Sequence, residues 1–271
     1  MAVGHPSFLL GELSNDGWIA YFPVAFLLKS SLAELALLVP IAVVAGREIL
    51  RGRGHGPFRL EGPTLWGLVA AVYFASLLTS PVNLGHRYLF VVYPLGVLLG
   101  VTCLYRLVPG RIAHAVAAGL VALQAMAAAT AHPNPPQYFN PLVGGPAQGH
   151  RYLVDSNLDW GQDLPALEAR LDALGAESGG TPAVLLLYFG QDCPRDYEIP
   201  QVPWPVGRRA PEWVALSATH LRGVYVDDAF RGFRELEPAH RAGSSIFLYD
   251  YRDPAVRAAA RDALGPGAAS R

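Results

Sequence analysis

The sequence predicts a multi-span α-helical membrane region followed by a small α/β domain with a mainly parallel sheet. Three observations carry that expectation. The runs Thr64–Leu78 and Tyr88–Leu104 contain no charged side chain. Charge is unevenly divided: only eight of the 21 basic and five of the 22 acidic residues precede His132. Beyond His132 the composition becomes that of an ordinary soluble domain, and strand-like and helix-like patterns alternate. Neither half carries the dense basic patch that nucleic acid requires, which excludes that class of partner.

The apolar segments set the order of the first half. Trp18–Leu28 is aromatic and apolar but too short to span a bilayer. It reads either as an interfacial helix ending at Lys29 or as the lead-in to one bent helix kinked at Pro23, and both readings stay open. Spans are expected over about 30–46, 63–79, 88–107 and 112–131. Two joints are basic, Gly46–Pro63 with Arg47, Arg51, Arg53 and Arg59, and Tyr105–Arg111 with Arg106 and Arg111. Alternating spans put both joints on one side, which the positive-inside rule makes cytoplasmic. The Ser80–Arg87 turn and everything after Ala131 then lie outside. No signal peptide opens the chain, because its first basic side chain, Lys29, follows the first apolar patch.

The segment 132–149 is rich in Pro, Gly and Asn and reads as a linker, so residues 150–271 form the extracytoplasmic domain. Within it RYLVDS, AVLLLYFG, EWVALSATHLRGVYV and SSIFLYDY are expected as strands. LPALEARLDALGA is expected as an amphipathic helix, and DPAVRAAARDAL as a closing helix with Asp253 as N-cap and Pro254 in its first turn. Trp160 is expected to be buried against the helix that starts near Leu164, as a packing anchor.

Few residues point to chemistry. No G-x-S-x-G, no phosphate-binding glycine loop and no zinc-spaced histidine pair occurs. Cys103 and Cys193 have neither metal-ligand spacing nor the look of a disulfide framework. Asp155, Asn157 and Asp159 alternate as in the first half of a calcium loop, but Trp160 and Ala166 stand where such a loop wants glycine and glutamate. The favoured reading is a polar turn, with a following carboxylate capping the next helix. Asp227–Asp228 reads as a solvated acidic pair. Neither a metal nor a cofactor is implied.

One turn stands out: SPVNLGHRYLFVVYP places Asn83, His86 and Arg87 between two apolar runs. An arginine there either snorkels to the membrane surface or holds an anion, since its planar fork matches phosphate oxygens.

This stretch, together with GELSNDGWIAYFPVAFLLK and HRYLVDSNLDWGQDLPALE, resembles the family 39 glycosyltransferases. These are bacterial relatives of the dolichyl-phosphate-mannose protein mannosyltransferases. The resemblance runs from about Gly4 to Asp250 and covers only the C-terminal part of such enzymes. It implies a GT-C-type fold in the bacterial inner membrane and sugar transfer from a polyprenyl-phosphate carrier on the outer face, to an acceptor that the sequence does not specify. The acidic catalytic motif of the family would lie upstream, so the chain is expected to be a section of a longer enzyme, and no catalytic residue is assigned. The resemblance makes the carrier phosphate the anion for Arg87, with His86 and Asn83 as supporting donors and Lys29 as a second cation. Two alternatives are a non-catalytic membrane subunit or receptor that binds a lipid phosphate, and a membrane-tethered α/β domain of other function.

Overall fold

The computed structural model describes residues 5–51, 62–203 and 210–265. The described chain divides into two compact units, residues 17–145 and residues 5–16 with 146–265. Most of the basic joint Gly46–Pro63, including Arg53 and Arg59, falls on residues 52–61, outside the described residues.

In the second unit the chain opens with a hairpin of β1 (Ser7–Leu9) and β2 (Glu12–Ser14). Leu10 and Gly11 both take positive φ, as a two-residue hairpin loop with the right twist requires. The unit resumes after residue 145, where the Leu10 amide donates to the Tyr152 carbonyl at 3.0 Å.

The first unit begins with α1 (Tyr21–Lys29) and α2 (Leu32–Leu50), bent by 115° from one another. The break lies at Ser30–Ser31 and not at Pro23. That proline sits in the first turn of α1, where its missing N–H leaves no bond unmade. After the break, the Ser31 hydroxyl accepts from the Glu34 amide at 3.1 Å and the Glu34 carboxylate accepts from the Ser31 amide at 2.7 Å. This reciprocal cap restarts the helix. Next come α3 (Gly62–Leu78), a 3-10 turn (His86–Val91) leading into α4 (Val92–Leu107), and α5 (Gly110–Ala131).

Helices therefore overlie all four expected spans, and two of these stretches are long and apolar enough to cross a membrane, His86–Leu107 and Gly110–Ala131. A third joins them if the bent pair α1–α2 is one broken span. Helix α3, with 17 residues, is about 26 Å long, slightly under the thickness of a bilayer core. Only 22% of the first stretch and 6% of the second is buried within the protein, so their apolar faces are left for lipid or other helices. Helices α2 and α4 approach closely at Gly100, where a Cβ would lie 2.7 Å from that of Leu37.

Residues 132–145, read as linker in the sequence, pack into this unit through short 3-10 turns. Phe139 and Asn140 are buried, and the Asn140 side chain donates to the carbonyls of Leu27 and Ser30 at the end of α1.

The body of the second unit contains the single turn α6 (Pro146–Gly149), α7 (Leu164–Ser178), β3 (Val184–Leu187), β4 (Trp213–Ser217), the single turn α8 (Ala218–Leu221), β5 (His240–Ala242), β6 (Ile246–Asp250) and α9 (Pro254–Leu264). Its sheet runs β3-β4-β6-β5. Only the β3–β4 pair is parallel, and β4–β6 and β6–β5 are antiparallel. The expectation of a mainly parallel sheet is therefore corrected to a mixed one. A parallel ladder needs a crossover for every strand, but β5 and β6 are joined by a tight turn at Gly243, with φ +58°. Alternation along the strands gives the sheet two covered faces. Trp213, Ala215, Ile246 and Leu248 pack with Leu164, Leu167 and Leu171 of α7, while Phe247 and Tyr249 meet His150 and Phe233.

Four local expectations need correction. RYLVDS forms turns and not a strand, because Asp155 takes φ +60° and cannot continue a ladder. The strand of EWVALSATHLRGVYV ends at Ser217, whose hydroxyl caps α8. Asp163 occupies the position before α7 without capping it, because its carboxylate is engaged by the β5–β6 turn. Trp160 is 38% exposed, its indole donating to the Ser156 carbonyl at 3.3 Å. The chain reverses at Gly161, with φ +94°, and it is Asp159 and Asp163 that are fully buried there. The closing helix forms as expected, with the Asp253 carboxylate accepting from the Ala255 amide at 2.8 Å.

Burial sets the outcome of two substitutions in the full chain. Phe8→Ala, at a site 4% exposed beneath the Arg222 guanidinium, should lower the stability of the second unit by about 3–5 kcal/mol. Trp160→Ala should cost about 1 kcal/mol, the scale of one hydrogen bond at a half-exposed site. Amide hydrogen exchange at Val214, Leu216 and Leu248 reads both; equal effects would contradict the assignment of the hairpin to this core.

Candidate functional site

The first unit contains a cavity of about 350 Å³ built around the α1–α2 break. Its polar groups come from five separate places. Lys29 ends α1, Ser31 and Glu34 open α2, His86 and Tyr93 flank the start of α4, Gln124 projects from α5, and Tyr138 comes from the packed segment after α5. Ala127, Ala128 and Ala131 make an apolar wall, so the site combines charged and hydrogen-bonding groups with a surface that an alkyl chain tolerates.

The fold fixes these groups in turn. Lys29 is 5% exposed, its ammonium donating to the Pro136 carbonyl at 2.7 Å and lying 4.3 Å from the Phe139 ring centroid. The Tyr93 ring stacks on Phe26, and its hydroxyl accepts from Ser30 at 3.4 Å. The Ser31 hydroxyl donates to the Gln124 carbonyl oxygen. His86 meets Phe90 edge to face at 5.5 Å. Burial, with the Glu34 charge adding to it, pushes the Tyr138 phenol above its ordinary pKa, so it remains a neutral donor.

Of the four residues singled out in the sequence, Lys29 and His86 share this cavity. Arg87 follows His86 on the same turn but is exposed, with its guanidinium 5.5 Å from the Tyr88 ring centroid. Asn83 is 3% exposed and serves the fold. Its amide oxygen accepts from the Trp18 amide at 2.6 Å, while its nitrogen donates to the Ser80 carbonyl at 3.4 Å. Gly17, with φ +77°, permits that approach, since a Cβ there would lie 2.9 Å from the Asn83 oxygen. The Asn83 amide thus bonds within the unit, and Asn83 is not among the residues that line the cavity. Sequence reading missed Ser31, Glu34, Gln124 and Tyr138. Glu34 and Gln124 were signalled by being isolated polar residues within their apolar runs.

The acidic segment of the second unit is an interior polar cluster. Asp155 accepts from the Ser156 amide and the Tyr225 hydroxyl, and the Asn157 side chain donates to the Val154 carbonyl at 3.1 Å. Both side chains thus bond inside the unit, and no group of three or more His, Cys, Asp or Glu placed to hold a metal occurs among the described residues. Asp163 accepts from the Ser244 and Ser245 amides and the Ser245 hydroxyl at 2.8–2.9 Å. A Cβ at Gly243 would strike that carboxylate. Asp159 accepts from the Gly161 amide at 3.1 Å, while its second oxygen, fully buried, has no hydrogen-bond partner. Burial, reinforced by the charges of Asp163 and Asp155, pushes its pKa from 3.8 up to about 7, against the opposing pull of the Gly161 amide.

Comparison with protein-family models, curated proteins and solved structures gives no match to this chain.

The Asp159 shift has a definite sign. Its folded-state pKa lies above its unfolded one, so its contribution to stability is complete below about pH 4 and is lost as pH rises through about 7. Hydrogen exchange in the second unit should show stability falling across that window, by up to about 4 kcal/mol for a shift of this size. Asp159→Asn should flatten that part of the profile. An unchanged slope in the variant would place the titrating group elsewhere.

Proposed function

We propose that the first unit binds the phosphate of a polyprenyl-phosphate sugar, and that the chain is the C-terminal section of a membrane glycosyltransferase acting on that carrier in the bacterial inner membrane. The observation that carries this reading is the buried Lys29 ammonium in a cavity walled by Ala127, Ala128 and Ala131 of α5, a helix long and apolar enough to cross a membrane. A lipid phosphate needs both parts, a desolvated cation for its headgroup and an apolar surface for the start of its tail. Lys29 supplies the charge, and His86, Tyr138 and Gln124 supply hydrogen bonds to the remaining oxygens. Arg87, exposed one residue beyond His86, supplies a second and outer cation. The resemblance to the family 39 enzymes supports the sugar on that phosphate, and with it a transfer whose base comes from a part of the enzyme beyond this chain. The basic joints support a topology with the second unit outside.

Binding of a short-chain polyprenyl-phosphate hexose to the detergent-solubilised protein tests the reading directly. Lys29→Ala should weaken binding by about tenfold or more, the loss of one charge-assisted contact. Arg87→Lys, which keeps charge but loses the planar fork, should weaken it less than Arg87→Ala. Wild-type affinity in both alanine variants, with normal membrane insertion and helix content, would sink the proposal. Sugar transfer by the enzyme that includes the upstream section, abolished by Lys29→Ala, would separate a transferase from a receptor that only binds the lipid.

A further inference from the structure

A second cavity, of about 260 Å³, lies wholly within the second unit. One wall is the hairpin, through Leu13, Ser14 and Asn15, and the other is the turn from Gly223 to Asp228. We propose that this cavity is a binding site for a single neutral sugar ring. It stands on different residues from the lipid-phosphate reading and does not depend on it.

The chemistry of the walls selects this ligand class. Asp228 is already compensated, since its carboxylate pairs with the Arg234 guanidinium, which is itself held by the Leu221 carbonyl at 2.7 Å. The Asp227 carboxylate is exposed, and among the described residues no cation pairs with it. The cavity thus carries one net negative charge, which repels phosphates and carboxylates. Its apolar part consists of Pro6, Leu13 and the 40% exposed ring of Tyr225, enough for the C–H surface of a ring but not for a lipid chain. An unpaired carboxylate and the Asn15 amide on facing walls match the vicinal hydroxyls of a pyranose, the carboxylate accepting and the amide both donating and accepting. At 260 Å³ the site falls below the range of about 300–1,000 Å³ usual for drug-sized ligands, which suits a single ring.

The walls are also held in place. Tyr225 donates its hydroxyl to Asp155, stacks on Phe189 at 5.5 Å and meets His5 edge to face. Tyr225, Asp227 and Asp228 all take left-handed backbone conformations, half of the six non-glycine residues that do so in the described chain. Such conformations persist where surrounding structure over-determines them, as it does here. Gly223, with φ +87°, lets the turn close, because a Cβ there would meet Leu13 and the Arg234 guanidinium at 2.9 Å.

The test uses the full chain in a zwitterionic detergent, since a glycoside detergent would compete. Glucose, mannose, galactose and N-acetylglucosamine are each titrated by saturation-transfer NMR. At least one should bind with a millimolar Kd, and Asp227→Asn should weaken it by about tenfold or more, the loss of one hydrogen bond to a charged group. Asparagine tolerates the left-handed backbone, so the substitution leaves the turn intact. Tyr225→Phe keeps the ring and should retain binding. The same Asp227→Asn variant should bind polyprenyl phosphate as the wild type does, which separates failure here from failure of the lipid reading. No transfer to any of the four sugars, transfer indifferent to Asp227→Asn, or calcium bound at Asp227 in place of sugar would each overturn the proposal.

Discussion

A helix that ends among apolar residues leaves carbonyls and amides that water cannot reach, and each costs several kcal/mol unless paired. The first unit is arranged around one such end, the 115° break at Ser30–Ser31. On its N-terminal side, Asn140 donates to the Leu27 and Ser30 carbonyls, and its own amide donates to Leu28. On its C-terminal side, Ser31 and Glu34 cap each other's amides. Satisfying the first set requires the segment after α5 to return to the end of α1. That return brings the Pro136 carbonyl and the Phe139 ring to Lys29. The pairing of a broken helix therefore builds the part of the cavity that Lys29, Ser31, Glu34 and Tyr138 line.

The second unit meets the same constraint with side-chain carboxylates. Its β5–β6 turn leaves two adjacent amides, those of Ser244 and Ser245, facing inward, and Asp163 accepts from both and from the Ser245 hydroxyl. Those donors go to Asp163, and Asp159 beside it lacks a donor for its second oxygen. Burial, with the charges of Asp163 and Asp155 adding to it, then raises the pKa of Asp159.

What the sequence made legible was local. Apolar runs located α2 to α5, β-branched and leucine-rich patches located β3 and β6, and Asp253–Pro254 marked the start of α9. Long-range pairing left no such trace. Nothing in GHPSFLLGELSNDG says that its hairpin belongs with residues 146–265, because the tie is a backbone bond from Leu10 to Tyr152. Strand alternation cannot distinguish a parallel from an antiparallel neighbour, so the mixed sheet was hidden. Asp163 shows the limit most clearly: its position before a helix is what an N-cap looks like, yet its carboxylate bonds residues some eighty positions away. Three residues of the proposed phosphate site were legible, Lys29, His86 and Arg87, because a cation or imidazole at the edge of an apolar run is conspicuous. Glu34 and Gln124 were equally isolated, but their meaning depended on which helices meet.

The two cavities differ in the groups that line them, and under the two proposals this difference separates what each would hold. In the first, the buried Lys29 ammonium donates to the Pro136 carbonyl, and the Glu34 carboxylate, which accepts from the Ser31 amide, lines the same cavity. In the second, Asp228 is neutralised by Arg234 while Asp227 is not. A phosphate would gain from Lys29 in the first cavity a charge-assisted bond that Asp227 would not offer in the second. A neutral polyol meets no repulsion in the second, and its hydroxyls can donate to Asp227. Under the two proposals the second site disfavours a phosphate by its charge, whereas the first selects one through its donors and its apolar wall. On that division, the affinities at the two sites can be altered one at a time.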